Sequence, residues 1–175
     1  QAGALSFEII SNRKKLICKS GYFQNHNHQL NKLSKSSVIH STLILDDRSS
    51  CKFDKTKNQS SKVSHGLKIL KKNIVFEKNY WKISAAHDGY LKKYGIIHER
   101  EIEFYPEQIK FVGHDKVLSK NRIKNLKFEI RFHLEPNIKI MKTQDNKSIL
   151  IDLAGEGWKF NSNNNTMNID NGLYF

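Results

Sequence analysis

AAHDGYLKKYGIIHEREIEF, residues 85–104, places two histidines, an arginine, paired aromatics and a turn between two alternating runs. Ile96, His98, Arg100, Ile102 and Phe104 share one parity, and Ile97, Glu99, Glu101 and Glu103 share the other. A period of two fits this pattern and a period of 3.6 does not, so the stretch reads as strand, turn, strand. One face of the second strand is mixed basic and apolar, and the other is mostly acidic.

Working outward, similar runs are expected as strands at 4–11, 15–19, 38–45, 67–77, 80–87, 94–104, 108–114, 126–134, 137–143, 148–153, 157–161 and 166–170. Short strands at near-regular spacing, with turn residues between them, predict an all-β fold: an antiparallel β-sandwich of two packed sheets with no helix beyond about two turns. Pro106 and Pro136 both fall in expected connections, where no ladder donor is needed. Residues 64–77 suit either period, and their β-branched residues favour strand. Trp81, Trp158, Phe7, Phe128 and Phe132 are expected in the core. The polar stretch 24–37 reads as a long loop, and the Ser-, Lys- and Asn-rich stretch 49–64 has the composition of disorder.

The chain has 175 residues, enough for one sizeable core, and 30 Lys plus Arg against 17 Asp plus Glu give a net charge of +13. That balance suits a polyanion, although lysines spread along every segment equally describe an ordinary solvated surface. The basic residues form no block resembling a nucleic-acid arm, and no apolar run approaches a membrane span, so no nucleic-acid partner and no membrane span are expected. Cys18 and Cys51 lack the spacing of a zinc knuckle or redox pair. Both ends look cut from a larger protein: Ala4–Ile10 reads as a strand already in progress, and Asn171-Gly172 as a turn before a short strand.

P-loop, G-x-S-x-G, G-x-G-x-x-G and H-E-x-x-H motifs are absent. Glu99, Glu101 and Glu103 suit a solvated face better than a catalytic carboxylate pair. The histidines are the stronger lead. His26 and His28 share a face if extended and would need a third ligand to hold a metal. His40 opens an expected strand, and His87, His98, His114 and His133 lie near strand ends.

ALSFEI, LICKSGYF, IHSTLILDD, AHDGYLKKYGIIHER, RFHLEP and GEGWKF occur in the order and spacing of the C-terminal β-domain of heparinase II/III-like polysaccharide lyases, which the whole chain resembles. The resemblance implies a sandwich that follows an α-helical toroid domain. It also implies β-elimination on an acidic, uronate-containing polysaccharide in the periplasm or cell envelope. His40, His98 and Tyr22 are then candidates for acid/base chemistry. Arg100, Arg131, Tyr90, His87, Lys92 and Lys93 are candidates for a glycan-holding surface. Because the family draws its acid/base groups mainly from the toroid, this chain alone is expected to be inactive. The alternative is a non-catalytic sandwich binding a polyanion or a protein.

Many relatives in that family hold a structural zinc with a His and an Asp that match Gln1 and Lys19 here, together with the His that matches His40. The Asp of their H-x-H-x-D motif matches Gly3. Only His40 is retained, so that metal site is expected to be lost and no cofactor is expected.

Overall fold

In the computed structural model, residues 2–24, 29–53, 63–120, 125–163 and 166–175 are described. The elements are β1 (Ile9–Ser11), β2 (Lys14–Ile17), α1 (Gln29–Leu33), β3 (Leu43–Leu45), β4 (Lys52–Phe53), β5 (Val63–His65), β6 (Ile69–Glu77) and β7 (Tyr80–His87). They continue as α2 (Leu91–Tyr94), β8 (Ile96–Tyr105), β9 (Lys110–Ser119), β10 (Phe128–Ile130), β11 (Lys139–Lys142), β12 (Ser148–Leu153) and β13 (Glu156–Asn161). The fold is the all-β sandwich expected, every strand pairing is antiparallel, and neither described α-helix exceeds about two turns.

The stretch that decides the fold forms the centre of the largest sheet, ordered β6-β7-β8-β9. Its turn between β7 and β8 is built locally. Asp88 accepts the Lys68 N–H at 2.6 Å, α2 makes one turn, and Gly95 closes it in the left-handed region at φ 68°. Between β8 and β9, Pro106 starts a single 3-10 turn and Ile109 ends it at φ 47°. That turn sets the register: Arg100 lies opposite Asp115 and Glu101 opposite His114.

Two apolar cores flank this sheet. Leu43 and Leu45 of β3 pack with Tyr90 and Ile96, joined by Tyr94, Val117, Leu126 and Ile130. Ile9, Leu16 and Ile17 of the β1–β2 hairpin pack with Ile151 and Leu153 of the β11-β12-β13 sheet, joined by Phe7, Phe132, Trp158 and Phe160. Fully burying a Leu or Ile side chain stabilises by about 1.5–3 kcal/mol, so these clusters carry much of the fold.

Several expectations are corrected. Residues 38–45 are strand only from Leu43, because a 3-10 turn occupies Ser37–Ile39 and places His40 at its C-cap. Residues 4–11 are strand only from Ile9, since Leu5 at φ 57° breaks the extended run. No strand forms among the described residues of 166–170, and 52–53 and 63–65 pair as β4 and β5 inside the stretch read as disorder. Trp81 and Phe128 are 39% and 51% exposed rather than buried, whereas Phe7, Phe132 and Trp158 are half-buried. Trp81 instead sits in a cross-strand aromatic row, 5.0 Å from Phe76 and 5.1 Å from Phe104, which stacks 4.4 Å from Phe111. His26 and His28 lie outside the described residues.

Candidate functional site

The pleat that gives His98 and Arg100 one parity points both into the protein, beside His87 on β7 and Asp115 on β9. All four belong to one polar network under the β3 core. The Gly89 N–H donates to His87 Nδ1 at 3.0 Å, which leaves the proton of the neutral ring on Nε2. His87 Nε2–H then donates to His98 Nδ1 at 3.1 Å, and His98 Nε2–H to Asp115 Oδ1 at 2.5 Å. Arg100 closes the carboxylate with a fork: Nε reaches Oδ1 at 2.8 Å and Nη2 reaches Oδ2 at 3.0 Å. Its remaining Nη1 donates to the carbonyls of Leu5 and Ser41 at 2.9 and 2.7 Å.

Burial raises the Asp115 pKa, but the hydrogen bonds from His98 and Arg100 outweigh it and hold the carboxyl below its ordinary range. The His87 pKa is pushed down to about 4, first by burial and then by His98. Gly89 is required by close approach, since a Cβ there would meet the Ser50 carbonyl oxygen at 2.6 Å and His87 Nδ1 at 3.0 Å.

The expected glycan-holding surface is therefore redrawn. Arg100, His87 and His98 are buried with their polar atoms engaged, because the basic-and-apolar face of β8 is the inner one. Tyr90 is also buried. Its hydroxyl donates to the carbonyls of Leu43 and Arg48 at 3.1 and 3.2 Å, and burial pushes its pKa up to about 12. Lys92 and Lys93 are exposed on α2, and Lys93 Nζ stands 4.8 Å over the Tyr94 ring. Tyr22 is exposed. Arg131 is half-buried and already donates to Glu129 Oε2, from Nε at 3.2 Å and Nη2 at 2.9 Å.

His40 is enclosed, and neither of its ring nitrogens has a hydrogen-bond partner among the described residues. Burial, then the Lys19 charge, brings its pKa down to about 4. Two orphaned nitrogens suit a metal, but the surrounding donors do not. Gly3 offers no ligand and lies so close that a Cβ there would meet the imidazole at 2.6 Å, and Lys19 adds repulsion. The residues around His40 therefore do not fit the zinc that the resemblance implies. Neighbouring His133 is satisfied instead: Nε2–H donates to the Val38 carbonyl at 2.8 Å, and the Ser20 hydroxyl donates to Nδ1 at 2.9 Å.

In the exposed aromatic row, Phe76 on Trp81 and Phe104 on Phe111 each stack with an interplanar angle of 23°, which covers one face of each ring and leaves Phe76 74% exposed.

The family described as Heparinase II/III-like, C-terminal, matches residues 1–175, the whole chain. No curated protein and no solved structure matches it. The chain belongs to the heparinase II/III-like C-terminal domain family.

Proposed function

We propose that the chain is the glycan-holding β-domain of a polysaccharide lyase that cleaves an acidic, uronate-containing polysaccharide by β-elimination in the periplasm or cell envelope. Membership of the heparinase II/III-like family across the whole chain carries this reading. The elimination needs a uronate carboxylate neutralised, its C5 proton removed and the departing O4 protonated. The groups responsible must lie within hydrogen-bond reach of those atoms. His98 has both nitrogens engaged in the interior and His40 is enclosed, so of the three acid/base candidates only Tyr22 is exposed. The rest of the acid/base set is assigned to an α-helical toroid domain of the same protein. The β-domain contributes charge and a rigid support.

The accessible groups for the glycan are Lys92, Lys93 and Tyr22, with Arg131 secondary because Glu129 already holds it. Exposed charges are screened beyond ~8 Å at physiological salt, so binding to heparin is expected to weaken steeply as salt rises. Lys92→Ala and Lys93→Ala are each expected to cost on the order of twofold to fivefold in affinity, the worth of an exposed charge contact. Surface plasmon resonance over a salt series measures both effects, with neutral dextran as control. Equal binding to heparin and dextran defeats the electrostatic basis. Unsaturated product released by the chain alone would return the chemistry to Tyr22 and its neighbours.

A further inference from the structure

The outward face of the central sheet carries a second cluster, independent of the glycan reading. Glu101 and Glu103 stand two residues apart on β8, and the register places His114 of β9 directly opposite Glu101. One carboxylate oxygen from each Glu and one imidazole nitrogen lie within 4.8 Å of one another. From this mixed donor set we propose that Glu101, Glu103 and His114 form a binding site for one first-row divalent cation of the Zn²⁺ type.

Three features favour it. The ligands come from β8 and β9, which share the longest strand pairing among the described residues, so their backbones are held in place before an ion arrives. The Tyr80 hydroxyl donates to Glu103 Oε1 at 3.1 Å and the Tyr105 hydroxyl to Oε2 at 2.7 Å, which orients that carboxylate as outer partners of metal ligands do. The His114 ring makes no hydrogen bond among the described residues and is exposed, so its lone pair is open to a cation. Among the described residues, Lys82 at 3.6 Å from Glu101 Oε2 is the one competing cation in salt-bridge range of these carboxylates, and it is itself partly exposed.

An imidazole beside two carboxylates favours Zn²⁺ or Co²⁺ over Mg²⁺ or Ca²⁺, which take oxygen ligands. Metal–ligand bonds of about 2.0–2.2 Å require small side-chain rotations to close the three donors on one ion. The remaining positions would face solvent.

Titration of the metal-free protein with Co²⁺, followed by its visible absorption and by Zn²⁺ displacement, tests the site. One ion per chain is expected, displaced by Zn²⁺ but not by millimolar Mg²⁺. His114→Ala and Glu103→Gln should each weaken binding at least tenfold, whereas Glu99→Gln and His40→Ala should leave it unchanged. Binding that survives His114→Ala, or that is lost with His40→Ala, would overturn the assignment, as would no binding by a protein whose circular dichroism is native. His114 is exposed, and Glu103→Gln keeps the side chain's volume while replacing one acceptor with an N–H to which a rotated Tyr hydroxyl can present its oxygen, so neither variant is expected to unfold the sheet.

Discussion

Asp115→Asn is expected to lower the free energy of unfolding by about 3–5 kcal/mol, the cost of removing one partner from a buried ion pair. The substitution keeps the shape of the side chain but leaves the enclosed Arg100 guanidinium without its counter-charge. It also turns one acceptor of the fork into an N–H that faces a donor. His98 Nε2–H, which has Asp115 Oδ1 as its acceptor, is affected with it. For a domain of ordinary stability, about 5–15 kcal/mol, this is a large fraction of the total. Arg100→Met should cost a similar amount, because it strands the carboxylate together with the carbonyls of Leu5 and Ser41. The double variant should cost less than the two singles combined, since the residues share one contact. Urea unfolding of the four proteins measures the cycle. A loss under about 1 kcal/mol for Asp115→Asn, or strict additivity, would mean that the fork contributes little net stability.

That network separates what strand alternation encodes from what only the tertiary fold decides. The alternation over residues 80–87 and 94–104 identified β7 and β8 because long strands in a paired sheet repeat with period two whatever surrounds them. The same parity correctly separated His98 and Arg100 from Glu99, Glu101 and Glu103, yet it could not say which face is inward. A row with Arg and His looks solvated until Asp115 is placed opposite Arg100. Counting outward from the Pro106 turn would have found that pairing, and the His114–Glu101 pairing with it. Local signals failed where tertiary contacts override them. Alternation over 38–45 makes His40 a strand residue, but Ser37 closes a 3-10 turn by accepting the His40 N–H at 3.1 Å and donates its own hydroxyl to the Ala2 carbonyl at 2.5 Å. The alternating pattern places Trp81 in the core, whereas its exposure follows from a sheet end that no described element covers.

Acid is expected to unfold the protein from the side of its histidines. His87 and His40 each titrate near 6.5 in an unfolded chain and are lowered to about 4 in the folded one. Each is therefore neutral when folded and takes up a proton on unfolding between those values, so stability is fully present above about pH 6.5 and falls as pH drops toward 4. Burial accounts for most of both displacements, and each corresponds to about 3 kcal/mol lost by pH 4. Asp115 acts in the same direction lower down, because its depressed folded pKa adds stability that is lost only as pH falls below the ordinary Asp value of 3.8. The geometry explains why the folded rings resist protonation. A proton on His87 Nδ1 would evict the Gly89 N–H. His40 has no acceptor for a second N–H among the described residues, and Lys19 opposes the charge. Urea unfolding between pH 7.5 and 4.5 should show a slope of about 1.4 kcal/mol per pH unit for each proton bound on unfolding. His40→Leu should reduce the proton uptake by about one while keeping the cavity filled. A stability that stays flat from pH 7 to 4.5, or a slope unchanged in His40→Leu, would show that these rings are reached by solvent before the fold opens.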